Sequence, residues 1–239
     1  MLPYMTCMEH DESTARSRRM LTPERMLRAY AMGIFPMADG ADVTDIFWVD
    51  PQWRGIMPLD GFHISRSLRR RLRRGDYEIA VNRDFGGTMR ACATRPETWI
   101  NDDIFTAYTR LHTLGHAHSV EVRMDGDLIG GVFGITLGAA FFGESMFSRR
   151  TDGSKIALAH LVARLRTGGF QLFDTQFITE HLKTLGAVEI TRSDYHERLY
   201  VAVRSQANFF ACDTFYEKTP QVVTETNDQP VPQFKTHTS

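Results

Sequence analysis

The spacing of hydrophobic and polar residues changes several times along the chain, and each change predicts a new element. Thr22-Pro23 followed by apolar residues at helical spacing predicts a helix that ends at Gly33. The same spacing predicts helices at residues 63–74, 85–93, 102–114, 154–167 and 179–185. Period-two alternation or a short apolar run predicts strands at residues 77–82, 119–124, 128–135, 139–142, 170–177 and 188–190. A three-strand meander followed by helix, strand, helix and strand indicates an α+β protein.

The chain divides into four segments by composition. Residues 1–20 are polar and aperiodic, and we expect a flexible N-terminal arm. Residues 21–96 are expected to form a small N-terminal α/β domain, in which residues 47–58 have two tryptophans and two prolines and are interpreted as a turn-rich aromatic wall. Residues 97–205 are expected to form a second domain. Residues 206–239 are expected to be a C-terminal segment that is largely a disordered tail.

The overall composition is that of an ordinary globular protein. The 239 residues are 42% hydrophobic, and the net charge of -1 argues against a protein that coats nucleic acid or membrane with its whole surface. Cys7, Cys92 and Cys212 are far apart and lack metal-ligand spacing, which favours a reducing compartment. The sequence shows neither a signal-peptide pattern nor an apolar run of membrane-spanning length. We therefore expect a cytoplasmic protein without a membrane partner.

The predicted helix at residues 63–74 has a strongly basic surface. Ile64, Leu68 and Leu72 form a narrow apolar stripe, and arginines fill the remaining circumference. A solvated face is one interpretation. The other is a polyanion partner such as nucleic acid, which is favoured because no acidic residue within the helix lies at i±4 to pair with these cations. The arginines are Arg66, Arg69, Arg70, Arg71, Arg73 and Arg74.

A single carboxylate, Glu144, lies in the otherwise apolar stretch from Phe141 to Ser148. The preceding strand is predicted to end at Phe142, so Glu144 is expected at a strand-to-helix junction, where α/β folds usually bind ligands. The alternative is a structural ion pair with an arginine such as Arg149, because buried carboxylates are usually paired whatever their role.

A second polar pair lies in the strand predicted at residues 170–177. Asp174 and Gln176 are expected on one face of this strand, because strand side chains alternate. If this strand neighbours the one before Glu144, all three polar groups converge on one cleft. The sequence has no Ser-His-Asp spacing, no activated cysteine environment and no P-loop. The chemistry that these residues still allow is acid–base and hydrogen-bond chemistry on bound substrates.

The sequence does not predict a cofactor. His112, His116 and His118 lack a carboxylate or cysteine that would complete a metal set. The order of elements resembles the acyl-coenzyme-A N-acyltransferase (GNAT) fold, in which a glycine-rich loop holds the pyrophosphate of the acyl donor. The corresponding residues 149–155 contain one glycine and an inserted acid. The resemblance implies a GNAT-like domain that uses another acyl donor.

A series of motifs carries a more specific resemblance. They are Gly33-Ile34-Phe35-Pro36, Trp48 with Pro51 and Arg54, residues 62–67, 98–100, 114–122 and 142–148, Ser154-Lys155, Asp174-Thr175-Gln176 and residues 181–187. In this order they resemble the leucyl/phenylalanyl-tRNA-protein transferase family. The resemblance implies transfer of leucine or phenylalanine from aminoacyl-tRNA to proteins that begin with Arg or Lys, which marks them for N-end rule degradation. An acetyl-CoA-dependent N-acetyltransferase and a non-enzymatic RNA-binding module are the alternatives.

The resemblance also implies roles for single residues. Asp174 and Gln176 become the pair that positions and activates the attacking α-amine, and Glu144 holds the aminoacyl-adenosine end. Trp99 falls where the family contacts the terminal nucleoside, and Met37 stands where the family commonly has a tryptophan. The six arginines are expected to bind tRNA, and the chain is expected to act as a monomer. The remaining substrate-binding positions are Val132, Met146, Phe147, Ser148, Leu158, Leu161 and Phe173.

Overall fold

The fold is given by a computed structural model that describes residues 21–38, 40, 46–94 and 98–213. The expected arm, residues 1–20, and most of the expected tail, residues 214–239, lie outside the described residues. In chain order the elements are α1 (Pro23–Ala31), β1 (Phe35–Ala38), β2 (Ile46–Val49), β3 (Trp53–Ile56), α2 (Arg66–Arg74), β4 (Glu78–Val81), α3 (Phe85–Cys92), α4 (Asp102–Thr113), β5 (Ala117–Met124), β6 (Asp127–Leu137), β7 (Ala140–Ser148), α5 (Gly153–Thr167), β8 (Leu172–Gln176), α6 (Glu180–Thr184), β9 (Val188–Thr191) and α7 (Arg192–Ala202).

Most of the strands form one mixed sheet in the order β4-β5-β6-β7-β8-β3-β9. β7 and β8 are parallel, and the other neighbours are antiparallel. β1 and β2 pair with each other in a separate ribbon. The α+β prediction is confirmed, and the meander, α5, β8, α6 and β9 follow in the predicted order. β3 and β4, which come from the predicted N-terminal domain, share the sheet with the strands of the second.

Side-chain caps set where the helices begin. Thr22 caps α1 as predicted. The basic helix α2 begins at Arg66 rather than at His63, because the Ser65 hydroxyl accepts the Leu68 N–H at 3.2 Å and caps the helix there. The arginines nevertheless all lie within α2.

One strand prediction is wrong, and the strands β1, β2 and β3 were not predicted. The segment interpreted as a turn-rich wall contains β3 and most of β2. β2 pairs with the nearby β1, and β3, between Pro51 and Pro58, is stabilised by β8 and β9 from a distant part of the chain. β7 does not end at Phe142 but continues to Ser148, paired along β6. Glu144 therefore lies inside a strand, and the prediction that it lies at a strand-to-helix junction is wrong.

A β-bulge surrounds Glu144 in β7. Gly134 pairs with Gly143, and Phe133 pairs with Ser145, so Glu144 is the extra residue of β7. An extra residue shifts the alternation of side chains by one position, and such bulges often re-aim a side chain beside an active site.

A second bulge lies in β8. Gly55 pairs with Gln176 and Ile56 pairs with Asp174, which leaves Thr175 as the extra residue. Gln176 has a φ of +62°, a left-handed backbone that is uncommon for residues other than glycine. The bulge explains why simple alternation does not describe the end of β8.

The parallel pairing of β7 and β8 stops where these bulges begin. It runs from Ala140 opposite Leu172 to Phe142 opposite Asp174. β7 continues beyond this point, so the two strands leave a gap in the sheet. One hydrophobic core, which includes residues of α1, α3, α4 and α7, covers one face of the sheet, and a second core, with residues of α2, α5 and α6, covers the other.

Candidate active site

The gap between β7 and β8 opens into a cavity of about 810 Å³. The cavity is bounded by both strands, by α5 and α6, and by residues from β1, α3 and the segment before α4. The lining residues are Pro36, Met37, Ala91, Thr94, Trp99, Val132, Gly143, Glu144, Ser145, Met146, Phe147, Ser148, Arg149, Ser154, Leu158, Phe173, Thr175, Gln176, Phe177, Thr179, His181 and Leu182.

A buried hydrogen-bond network fixes Glu144 in the wall of this cavity. Glu144 Oε1 accepts from the Tyr30 hydroxyl at 2.7 Å, and Oε2 accepts from the Tyr108 hydroxyl at 2.8 Å. Oε2 also accepts from Gln176 Nε2 at 3.1 Å, and the two tyrosine oxygens are 2.6 Å apart. Neutral donors, rather than the guanidinium of Arg149, therefore hold this carboxyl group.

Burial dominates the electrostatics of the network. It raises the pKa of Glu144 to about 7, although the hydrogen bonds from Tyr30, Tyr108 and Gln176 act in the opposite direction. Burial and the nearby carboxylate raise the pKa of Tyr30 and Tyr108 well above the usual value. The tyrosines are therefore neutral donors, and Glu144 is a carboxyl group that can exchange a proton near neutral pH.

Gln176 connects this network to the end of β8. Its left-handed backbone and its bond to Glu144 fix the side-chain amide in the cavity wall. With the amide nitrogen held by Glu144, the amide oxygen is the group that can accept a hydrogen bond from a bound molecule. Backbone strain of this kind at a cavity often accompanies function.

Asp174 does not line the cavity. Its carboxylate accepts from Arg54 Nε at 2.9 Å, from Arg54 Nη2 at 2.7 Å and from the Tyr195 hydroxyl at 2.8 Å. It also accepts the backbone N–H of Gln176 at 2.7 Å. The predicted convergence of three polar groups is thus met by Glu144 and Gln176 only, because the bulge at Thr175 places Asp174 and Gln176 on different sides.

Arg54 is enclosed as completely as its partner. Its guanidinium lies 4.5 Å from the ring centre of Phe35 and 4.3 Å from that of Tyr195, and Nη1 donates to the Gly33 carbonyl at 2.9 Å. Burial alone would lower the pKa of Arg54, but the Asp174 carboxylate more than offsets this and raises it. The Arg54–Asp174 ion pair therefore supports the backbone of Gln176, whose N–H donates to the Asp174 carboxylate.

The predicted substrate residues line the cavity with one exception. Leu161 lies on α5, is fully buried in the core and does not reach the cavity. Trp99 packs edge-on against Tyr108, with ring centres 6.1 Å apart. The residues that do line it are Met37, Trp99, Val132, Met146, Phe147, Ser148, Leu158 and Phe173.

The basic helix α2 lies outside the cavity and is only partly unpaired. Arg71 and Arg74 pair with Asp76, which follows the helix; the Arg74 Nε to Asp76 Oδ2 distance is 2.7 Å. The absence of an internal acid therefore did not exclude pairing, because the chain supplies one just after the cap. Arg66, Arg70, Arg73 and Arg74 are exposed, while Arg69 and Arg71 are half-buried.

Several residues of the site were not predicted. Tyr30, Tyr108 and Tyr195 look like ordinary core aromatics in the sequence, and only their distant partners give them a role. Arg54 did carry a signal, since it is the single charge in the strand Trp53–Ile56 and repeats the pattern that singled out Glu144.

The described part of the chain holds no cluster of three His, Cys, Asp or Glu side chains arranged to bind a metal ion. Within the same residues, no helix has the length and apolar character needed to cross a membrane.

A cavity between two diverging parallel strands, with a buried and protonatable carboxyl group in a largely apolar wall, is the arrangement of an enzyme active site. Sequence comparison then specifies the class of enzyme. The family model described as leucyl/phenylalanyl-tRNA protein transferase matches residues 56–200, and the model of that family's N-terminal domain matches residues 19–52. The chain belongs to the leucyl/phenylalanyl-tRNA protein transferase family.

Curated relatives of high identity carry the same family name. A leucyl/phenylalanyl-tRNA–protein transferase of Cereibacter sphaeroides is 66% identical over 189 residues, which are 79% of this chain and 88% of that protein. One from Jannaschia sp. is 59% identical over 204 residues, covering 85% of this chain and 96% of that protein.

Similarity to solved structures is low. A ribosomal-protein-alanine N-acetyltransferase from Brucella melitensis matches with a TM-score of 0.33 and 19% identity, over 46% of this chain and 86% of that chain. L-PGS from Bacillus licheniformis matches with a TM-score of 0.36 and 16% identity, over 67% of this chain and 55% of that chain.

Proposed function

We propose that this protein transfers leucine or phenylalanine from aminoacyl-tRNA to the N-terminal α-amine of proteins that begin with Arg or Lys, marking them for N-end rule degradation. Membership of the family supports aminoacyl-tRNA as the donor of the transferred amino acid. The observation that carries the chemistry is the hydrogen-bonded pair of Glu144 and Gln176 in the wall of an otherwise largely apolar cavity.

The reaction is the aminolysis of an ester. The amine nitrogen forms a bond to the ester carbonyl carbon, the bond from that carbon to the ribose oxygen breaks, and the nitrogen loses a proton while the ribose oxygen gains one. An α-amine with a pKa near 7.7 to 8.0 is mostly protonated at pH 7. A group that accepts its proton at the moment of attack therefore raises the rate.

Glu144 and Gln176 suit these requirements. Glu144 has a pKa of about 7 and lies in the cavity wall. We therefore propose that it accepts the proton of the amine and also positions the aminoacyl end. The Gln176 amide oxygen accepts a hydrogen bond from the amine and orients it. Asp174 acts on the amine only through Gln176, whose backbone N–H it binds.

The remaining walls suit the two donor amino acids. Val132, Met146, Leu158 and Phe173 give an apolar surface for a leucine or phenylalanine side chain. Trp99 supplies an aromatic surface for the terminal base, and Met37 lies in the same cavity.

The loop between β7 and α5 argues against the coenzyme A alternative. The N–H of Gly153 already donates to the Arg150 carbonyl at 3.0 Å, and the N–H of Ser154 donates to the Ser148 hydroxyl at 3.2 Å. Amides with internal partners do not offer the nest that a pyrophosphate requires. An enzyme that consumes charged tRNA belongs in the cytoplasm, and we propose that a single chain suffices because one chain forms the cavity.

A donor and acceptor survey tests the proposal. The protein is incubated with labelled Leu-tRNA, Phe-tRNA or acetyl-CoA, and with peptides that differ only in their first residue. We expect transfer of leucine and phenylalanine to peptides that begin with Arg or Lys, and none from acetyl-CoA. Acetyl transfer, or aminoacyl transfer that ignores the first residue, would contradict the proposal.

A further inference from the structure

The cavity wall changes from acidic to basic along β7. Glu144 lies at one point, and Ser148 and Arg149 line the cavity four and five residues further on. At the rise of a strand this separates the two ends by roughly 13 to 16 Å. The apolar residues lie between them, so the basic end is not in contact with the reacting groups.

Arg149 is a preoriented cation at this end. Its guanidinium lies 5.6 Å from the ring centre of Phe147, and Nη1 donates to the Leu128 carbonyl at 3.3 Å. Among the described residues, no carboxylate pairs with Arg149. The guanidinium is exposed and held by an aromatic ring and a carbonyl, which leaves donors for an external anion.

His181, on α6, also lines the cavity, and its electrostatic contact with Lys155 places it beside the first turn of α5. The His181 Nε2 atom is buried and has no partner among the described residues. Burial and the charge of Lys155 lower the pKa of His181, so the ring is neutral. Lys155 itself donates to Asp152 at 3.0 Å and remains partly exposed.

The basic end continues toward α2. The N–H of His63, in the segment that leads to α2, donates to the Leu185 carbonyl just after α6 at 2.8 Å, and α2 also contacts α5. Because α6 carries His181 and α5 carries Lys155, the cations of the cavity end and those of α2 lie on neighbouring elements.

We propose that Arg149 and His181, with Lys155 beside them, form a subsite for a backbone phosphodiester next to the 3′-terminal nucleoside of the tRNA. The guanidinium bonds the phosphate oxygens, and the neutral imidazole donates its Nε2 hydrogen to the same group. The subsite rests on the proposed function. It adds a contact with the tRNA at a position between the cavity and α2. An acceptor peptide with a cationic first residue is disfavoured there by like charge.

Three donors of increasing length separate this subsite from the rest of the site. They are leucyl-adenosine, which has no phosphodiester, leucyl-cytidylyl-adenosine, which has one, and Leu-tRNA. We test Arg149→Gln and His181→Ala, with Arg150→Gln as the matched control because Arg150 is exposed but does not line the cavity. Thermal unfolding of each variant shows that the fold is kept.

For Arg149→Gln and His181→Ala we expect KM to rise about tenfold or more for the dinucleotide and for Leu-tRNA, since a hydrogen bond to a charged group is typically of this strength. The KM for leucyl-adenosine is expected to stay within about twofold, and Arg150→Gln to resemble the wild type with all donors. Equal losses with leucyl-adenosine, or no loss with the dinucleotide, would overturn the subsite. If the wild type used none of the three donors, the proposed function itself would fail.

Discussion

Arg54 and Asp174 form a two-pronged ion pair, with Nε to Oδ1 at 2.9 Å and Nη2 to Oδ2 at 2.7 Å, in side chains that are only 1% and 0% exposed. Asp174 Oδ1 also binds the backbone N–H of Gln176 at 2.7 Å. The pair therefore connects the core to the residue whose side chain enters the cavity.

Removing either partner should destabilise the protein strongly. Arg54→Met or Asp174→Asn leaves a buried group without its partner, and breaking a buried pair costs about 3 to 5 kcal/mol. The double variant should lose less than the sum of the two single losses, as measured by urea unfolding in a double-mutant cycle. Additive losses would show that the two side chains do not interact in solution.

The same variants distinguish a positioning role of Asp174 from a role as base. If Asp174 positions Gln176, Arg54→Lys and Asp174→Asn should both lower kcat without moving the pH–rate profile. If Asp174 takes the proton instead, Arg54→Lys, which keeps the carboxylate, should retain the pH-dependent limb of the profile, and Asp174→Asn should lose it. The lysine variant keeps the positive charge and is the one most suited to retain the fold.

Glu144 should make stability depend on pH. Its pKa rises from 4.5 to about 7 on folding, so between these values the folded state holds a proton that the unfolded chain releases. The free energy of unfolding should therefore fall as pH rises from about 4.5 to 7, by an amount on the order of 3 kcal/mol, and change little from this group above 7. Glu144→Gln should lack this loss in urea unfolding at pH 5 and 8; parallel behaviour of the two proteins would contradict the shifted pKa.

Glu144 should also appear in the pH dependence of the rate. With Leu-tRNA and an Arg peptide, kcat should rise through pH 7 as Glu144 ionises and becomes able to accept a proton. Glu144→Gln should have a lower rate and lose this limb, leaving the rise near pH 8 from the α-amine in kcat/KM for the peptide. A limb that persists in the variant would assign the proton to another group.

Exposed arginines of α2 should control the salt dependence of tRNA use. Replacing Arg66, Arg70 and Arg73 by Ala should reduce the slope of log kcat/KM against log salt by about 0.7 to 0.9 for each phosphate that the variant no longer binds. Arg74→Ala is the control, because Arg74 pairs with Asp76. The fold should be unaffected, since exposed cations contribute little to stability. An unchanged slope in the triple variant would remove α2 from the tRNA interface.

Two leucines of α5 give a matched test of the donor cavity. Leu158 lines it, whereas Leu161 lies in the core. Leu158→Trp should reduce transfer of phenylalanine more than that of leucine, because a filled cavity excludes the larger side chain by about 1 to 3 kcal/mol. Leu161→Trp should instead lower the melting temperature and affect both donors alike. The reverse pattern would place Leu161 in the cavity.

Local patterns predicted much of the fold. The Thr22 cap and the alternation at residues 119–124 and 128–135 act within a few residues, and the structure confirms the helix and the strands that they predict. The end of β7 could not be predicted locally, because a charged residue inside a strand contradicts local propensity. Its cause is a bulge that only the pairing with β6 defines.

The polar site could be predicted only in part for a similar reason. Glu144 and Gln176 stand out as polar residues in apolar strands. The donors that hold Glu144 are 114 and 36 residues away in sequence, at Tyr30 and Tyr108. The face of β8 on which Asp174 lies depends on the bulge at Thr175, and strand alternation alone does not predict this bulge.

The position of β3 between β8 and β9 also constrains how the protein matures. Ile56 pairs with Asp174 on one side and with Val188 on the other, so this early strand has no neighbours in the sheet until the last strands have been synthesised. Pairings so distant in sequence form slowly, because a long loop must close before they contribute. The ion pair between Arg54 and Asp174 forms in the same step. In a nascent chain that still lacks β8 and β9, β3 therefore has no partner in the sheet, and the cavity wall lacks Gln176.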